Sequence, residues 1–551
     1  MKKEDFINLL WENNIIPQKK VVDLLDSLKE EDLDIIFKEA IKNNVKIIDE
    51  EFINRIIGKN INNNNKENVE KKENNVNKKQ NKINIKDFFN IKENKQNIEK
   101  ESNNVILIES TKKHIGEEIE LSVKEMKETK EINILKRFEI QKNKPDIISW
   151  IAYYKQRLDK IRKILKEHSE MKSIYPLNKI PENEEVAIVG LIYDKKITEK
   201  GITFVIEDGN NVVKAFVSKD NENIDFKIVK DIPLDSVIGL IGTYKNKMFF
   251  ANNVILPNVP IRKPKTLGED DAYILFTGDW QVGNKYTFYD LFDRFLQFVN
   301  GKTGNEKIDE IARKIGYIII IGDVADGVGV YPEQKEELVL KTYEDQYKSF
   351  EDYILKIPES IKTIVIPGNH DIPRLAEPQP ELPRSLLRES YSMKNIYYLS
   401  NPSYVKIHNS IIGLLYHGYV LDWLVSNISF LRERGGYENP GELMKFMLML
   451  RLIFPSHGSN PYVPYINEDP SVIEIVPDFF HTGHIHRASY DEYRGIDLIN
   501  SSTFQDITPY QKELGHKPEP GILFLRNIKN GEVLSVNLFN FEIRKLRDKV
   551  I

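Results

Sequence analysis

YIIIIGDVADG, residues 317–327, decides the reading of this chain. It opens on five apolar residues, Tyr317 to Ile321, too few for a globular helix and apolar at every position, as a strand covered on both faces reads. Gly322-Asp323 then sets a carboxylate at the strand's end, on a turn that glycine allows to be tight. Four other stretches repeat this pattern. Tyr273-Ile274-Leu275-Phe276 runs into Gly278-Asp279-Trp280-Gln281-Val282-Gly283, and Ile364-Val365-Ile366 into Pro367-Gly368-Asn369-His370-Asp371. Ile412-Gly413-Leu414-Leu415 enters Tyr416-His417-Gly418, and Pro477-Asp478-Phe479-Phe480 precedes His481-Thr482-Gly483-His484-Ile485-His486. Helical stretches separate them from about Leu267 onward, which is α/β alternation.

Carboxylates, an amide and imidazoles at strand ends can converge on one rim of such a domain. Two divalent ions about 3.5–4 Å apart need one bridging carboxylate and several terminal ligands, and these loops supply those residue types. The chain has no cysteine, which excludes disulfides, thiolate zinc sites and a cysteine nucleophile.

A single Gly-Asp or Gly-His pair reads more simply as a structural turn. The ordered set of Gly-Asp, Gly-Asp-x-x-Asp, Gly-Asn-His-Asp, a lone His and Gly-His-x-His resembles the calcineurin-like metallophosphoesterases. The resemblance implies that Asp323 bridges two metals, that Asp279 and His486 complete one site, and that Asn369, His417 and His484 complete the other. His370 would sit at the scissile phosphate, with Asp371 fixing its tautomer and orientation. Asp326 reads either as a supporting group or as a turn cap. The family's first loop usually reads Asp-x-His, and here Gln281 stands in place of that His. An amide oxygen is a weaker ligand for soft metals but suits Mn²⁺ or Mg²⁺, so two divalent ions are expected, Mn²⁺ first and Mg²⁺ as the alternative. His481 reads as structural, and His114, His168, His408, His457 and His516 as surface or packing residues.

The flanking segments narrow the substrate. Ile372-Pro373-Arg374-Leu375-Ala376-Glu377-Pro378-Gln379-Pro380, the stretch from Glu442 to Pro455, Val476-Pro477-Asp478, and Ser502-Thr503-Phe504-Gln505 with Pro509-Tyr510-Gln511 are similar to the small subunits of archaeal family D DNA polymerases. That resemblance implies a two-metal 3'-to-5' exonuclease that proofreads DNA for a large catalytic polymerase subunit, the two chains forming a heterodimer. Two alternatives stay open: an accessory subunit whose metal loops are inactive, and a phosphodiesterase of another substrate class. From the residues alone, the reading is a binuclear phosphodiesterase with a β-barrel companion.

At 551 residues the chain should hold several folded units. The expected order is a helical docking module (1–56), a disordered Asn/Lys-rich tether (57–104), a helical connector (105–178), an OB-type barrel (179–264) and the α/β phosphoesterase sandwich (265–551). In the connector, Ile148, Trp150, Ile151, Tyr154, Leu158, Ile161 and Ile164 form the apolar stripe of a helix. Within the tether, Lys82, Ile85, Phe88 and Phe89 resemble a sliding-clamp-binding peptide in which Lys replaces the usual leading Gln; the same island also reads as a strand edge. The barrel or the apolar 440–465 stretch offers a docking surface for the large subunit. A net charge of -5 does not advertise nucleic-acid binding, although metals and local basic patches can hold DNA on an acidic chain. The N-terminus lacks an apolar signal region, and no run approaches the roughly 20 apolar residues of a membrane span. A soluble cytoplasmic, nucleoid-associated protein is therefore expected.

Overall fold

The computed structural model describes residues 16–17, 30–42, 47–48, 53, 131–139, 145–171, 173–261 and 265–549. The chain divides into two compact units, Met1–Glu109 and Ser110–Ile551. In the first, the helix Glu30–Lys42 buries Leu33, Ile36 and Ala40, spaced three and four apart as one helical face requires. A short parallel pairing joins Ile16–Pro17 to Ile47–Ile48. Phe6, Leu9, Leu10, Val22, Leu24, Leu25 and Leu28, and the peptide with Lys82, Ile85, Phe88 and Phe89, lie outside the described residues.

The second unit is built on a sandwich of two sheets. In one, Ile396–Tyr398, Lys362–Val365, Ile315–Ile320 and Tyr273–Thr277 run parallel in that order, and three antiparallel strands complete its seven. Strand alternation explains why residues 317–321 are apolar throughout. Tyr317, Ile319 and Ile321 pack between the sheets against Phe276, Val405, Ile411 and Phe479. Ile318 and Ile320 face the opposite way, into a core with Trp280 from the loop after Tyr273–Thr277 and with Phe292, Phe295 and Phe350 from the helices Tyr289–Val299 and Tyr343–Ile354. The second sheet has six strands, among them Ile411–Leu415 parallel to Phe479–Thr482.

That sheet also corrects the expected content of the 105–178 connector. The connector is not helical throughout, because Ile132–Lys136 is a strand that pairs antiparallel with Ser403–Ile407 at the sheet's edge. Pairing there satisfies backbone groups that an edge strand would otherwise expose. A second correction concerns the helix Ile147–Lys166, which buries Tyr153, Arg157, Leu158, Ile161 and Leu165, while Ile148 and Ile151 are exposed. The buried face includes Arg157 because six groups receive that guanidinium. Nε donates to Asp469 Oδ2 at 2.6 Å, and the other nitrogens reach Tyr153 Oη, Ser471 Oγ and the carbonyls of Asp235, Pro455 and Phe454 at 2.9–3.4 Å. A buried charge so fully paired is tolerated, but removal of its partner strands it. The Asp469→Ala protein is therefore expected to lose about 3 kcal/mol of stability. Chemical denaturation checks this, with a lower midpoint at unchanged slope as the expected result.

Residues 185–255 form a closed five-stranded barrel, in which Glu185–Thr198 pairs with both Gly201–Glu207 and Val237–Lys245. Its core is continuous with that of the second sheet's outer face. The helix Pro440–Leu450 lies in this shared core with Leu443, Met444, Phe446, Met447, Leu448 and Leu450 buried. It is therefore not the free docking surface its composition suggested; an apolar helix of this kind is internal packing. Among the described residues, no helix is long and apolar enough to cross a membrane.

Candidate metal centre

The loops that follow the parallel strands meet at the sandwich rim. The first two are zipped together by backbone: Asp279 N donates to Gly322 O (2.9 Å), Gln281 N to Asp323 O (3.0 Å) and Val282 N to Val324 O (3.1 Å). Asp279, Gln281, Asp323, His484 and His486 all take left-handed backbone, with φ of 49°, 49°, 49°, 71° and 56°. Such conformations cost about 1–3 kcal/mol each in side-chain-bearing residues and persist where the surroundings impose them. At Gly368 an added Cβ would lie 2.1 Å from Asp323 Oδ1, so only glycine lets the third loop pass over that carboxylate.

Two donor groups result. Asp323, His417 and His484 each offer an atom within 4.8 Å of the others, and so do Asp279, Asp323 and His486. Asp323 is common to both. Asn369 Oδ1 lies 3.0 Å from His417 Nε2, which adds the amide to the first group. Neighbouring groups orient each imidazole. His417 donates Nδ1–H to Ile321 O at 2.7 Å, which turns Nε2 toward Asp323 Oδ1 at 3.4 Å. His484 meets Asp422 Oδ2 through Nε2 at 2.9 Å, leaving Nδ1 for other contacts. His486 meets the Gln511 amide through Nδ1 at 3.0 Å, and its Nε2 is 3.5 Å from Asp279 Oδ1.

The electrostatics ask for positive charge. Burial alone would raise the Asp323 carboxyl, yet His417 and His370 hold it far below its usual range. Burial would lower His417, but Asp323 and then Asp279 hold it protonated, with a pKa of about 10. A proton on an imidazole offered as a ligand is what a divalent cation displaces.

Gln281 tests whether the residues fit metals. Its Nε2 lies 3.0 Å from Asp323 Oδ2 and 3.3 Å from His486 Nε2, while the buried Oε1 has no hydrogen-bond partner. The two ends of an amide are interchangeable in shape. With the amide turned, Oε1 would face a carboxylate, an arrangement that only an intervening cation makes favourable. The donor set therefore fits divalent ions that prefer oxygen and nitrogen, with Gln281 available as a ligand.

His370 lies beside Asp323, its Nε2 3.9 Å from Oδ2. Asp371 does not orient it: that carboxylate accepts from Gly368 N (2.8 Å), Ala325 N (3.2 Å), Val324 N (3.3 Å) and Tyr347 Oη (2.9 Å), tying the second loop to the third. Burial, then the nearby Asp323 charge, raises Asp371 to about 6. The orienting group is Asp326, whose carbonyl meets His370 Nδ1 at 2.7 Å. Asp326 is not merely a turn cap either, since its carboxylate accepts amide protons from Asn284, Gln334 and Gln505 at 2.7–3.1 Å.

His481 is structural as expected, bonded to Ser501 Oγ at 2.7 Å and held neutral by burial. His516 is not remote. It lies 3.5 Å from Asp422 Oδ1 and lines the same cleft as His370 and His484. Burial raises Asp422, but His484 and His516 together bring it down to about 2. Nothing in the local spacing of Asp422 or His516 marks either residue.

A family model for the B-type subunits of DNA polymerases alpha and epsilon matches residues 274–491. The DNA polymerase II small subunit of Pyrococcus horikoshii is 35% identical over 393 residues, 70% of this chain and 62% of the relative. That of Methanocaldococcus jannaschii is 36% identical over 393 residues, 70% of this chain and 65% of the relative. The match therefore spans less than two thirds of these two relatives. The DNA polymerase II small subunit of Archaeoglobus fulgidus is 32% identical over 398 residues, 72% of this chain and 78% of the relative.

Proposed function

The chain belongs to the family of DNA polymerase II small subunits, and from that premise we propose that it carries a divalent-metal-dependent 3'-to-5' exonuclease that proofreads for a large catalytic polymerase subunit. The observation that supports this reading best is the pair of donor groups sharing Asp323. In this reading Asp279, Gln281 and His486 would hold one ion and Asn369, His417 and His484 the other, with Asp323 available to both. The ions, Mn²⁺ first and Mg²⁺ as the alternative, would polarise the phosphodiester and lower the pKa of the attacking water.

The chain's own contribution centres on His370. Its Nδ1 is tied to the Asp326 carbonyl, so Nε2 is the nitrogen free to act. Burial opposes protonation, but Asp323 and Asp326 raise the pKa above the ordinary histidine value. In the protonated form Nε2–H can donate to the departing 3' oxygen. Asp371 and Asp326 act at one remove, by fixing the loops and the imidazole.

DNA is the proposed substrate and the large subunit the proposed partner. The barrel, read as an OB fold, is the proposed companion surface for one of them. The 82–89 peptide is a proposed tether to the sliding clamp.

The test is degradation of single-stranded DNA by the purified chain in Mn²⁺. Immediate release of a 3' label, stepwise shortening of 5'-labelled strands and arrest by chelator are the expected results. No cleavage, even with the large subunit added, would assign the chain an accessory role instead.

A further inference from the structure

Resting on the nuclease reading, we propose that Tyr331 and Tyr510 form a stacking platform for the terminal unpaired base of the DNA strand, so that the cleft selects frayed or single-stranded ends. The two rings are already parallel, with centroids 5.2 Å apart and planes inclined by 9°. The Tyr331 ring is 6.0 Å from that of His370, so a base resting on this platform belongs to a nucleotide at the scissile bond.

Both rings are positioned before anything binds. Tyr331 Oη accepts from Asn284 Nδ2 at 2.9 Å and donates to Glu337 Oε2 at 3.0 Å. The same Asn284 amide donates to Asp326, the residue that holds His370, so platform and imidazole share one support. Tyr510 follows Pro509 in the first turn of Pro509–Leu514, where Thr508 and Gln511 form a capping box. Gln511 also meets His486, which ties the Tyr510 turn to the metal centre. The Tyr331 hydroxyl is thus held by an amide that also supports Asp326, and the turn that carries Tyr510 meets His486 through Gln511.

The surroundings favour a base over a charged group. The cleft measures about 430 Å³, and among the described residues lining it there is no lysine or arginine. Val330, Ile372, Leu375 and Leu514 on its rim are 37–48% exposed, unusual for large apolar side chains clustered at one mouth. Flat aromatic faces with apolar edges hold nucleobases by stacking, largely without regard to sequence. A base still paired to a template strand cannot lie on this platform, and so paired ends should be poor substrates.

The test is a cycle between residue and base, using the full chain in Mg²⁺. The probes are single-stranded oligonucleotides with a nuclease-resistant phosphorothioate as last linkage, ending in either a normal or an abasic 3' nucleotide. Affinity is read by fluorescence anisotropy. Tyr510→Ala is expected to weaken binding of the normal end about tenfold, as loss of one base stack would. It should leave the abasic end unchanged, and Tyr510→Trp should restore affinity. A 3'-terminal 2-aminopurine should be quenched on binding wild type and not on binding Tyr510→Ala. Losses that simply multiply between Tyr510→Ala and the abasic end would overturn the platform. Hydrolysis of an unmodified strand is scored separately. Hydrolysis without coupling overturns the platform and keeps the nuclease, coupling without hydrolysis does the reverse, and absence of both overturns both.

Discussion

Replacing Asp323 by Asn is expected to lower phosphodiester hydrolysis about 10⁴-fold or more, the scale on which removing one member of a unit that acts together is felt. The isosteric amide keeps the shape of the second loop and removes the one negative charge that both donor groups share. Metal binding should fall with activity: calorimetry that finds two ions on wild type should find at most one on the Asp323→Asn protein. An independent readout exists in chelated protein. His417 has its pKa raised from 6.5 to about 10, by Asp323 first among the neighbours that oppose its burial. A raised histidine contributes stability that is full below the unfolded pKa and is lost as pH rises through the folded one. Wild type in chelator should therefore lose stability between about pH 6.5 and 10, and the Asp323→Asn protein should lose much less. Thermal melts across that range check the sign, and equal slopes in the two proteins would show that Asp323 does not hold the His417 proton.

The same residue shows why this site is legible in the sequence alone. Ligand loops in a parallel α/β layer sit at strand ends, so apolar runs such as 317–321 announced both the fold and the position of Asp323. Residue type and order then sufficed to gather Asp279, Asp323, His417, His484 and His486, which do converge. Orientation was not legible. Asp371 adjoins His370 in sequence, yet its carboxylate faces backbone amides of the second loop, because a tight turn sends consecutive side chains in different directions. The group that holds His370 is a main-chain carbonyl at Asp326, and a carbonyl leaves no trace in the alphabet of side chains. Asp422 and His516 escaped for a different reason: they join the cleft from segments 94 residues apart, through a contact that only tertiary packing makes. Arg157 escaped because a buried guanidinium looks, in a helix, like any solvent-facing arginine.

For His370→Gln the expected result is a fall in kcat of about 10³-fold, the scale of a lost general acid, with metal stoichiometry and strand affinity unchanged. The separation follows from which atoms of His370 touch the centre. Its backbone N–H donates to Asp323 Oδ1 at 2.9 Å, a contact that any residue at this position keeps. Its side chain belongs to neither donor group, so the ions should not sense its loss. What disappears is the proton at Nε2. A leaving group that needs no proton should therefore rescue the variant. With a bridging sulfur in place of the 3' oxygen, the departing thiolate is stable unprotonated, and the deficit of His370→Gln should shrink to about tenfold or less. A deficit that stays near 10³-fold would mean that His370 acts on the charge of the phosphate itself rather than on the departing oxygen. The pH profile separates the two roles as well. Asp323 and Asp326 raise His370 against its burial, so a general acid here works up to a pH above 6.5 and fails as the proton is lost. That alkaline fall in kcat should be present in wild type acting on the oxygen linkage, and absent from the His370→Gln protein and from wild type acting on the sulfur one.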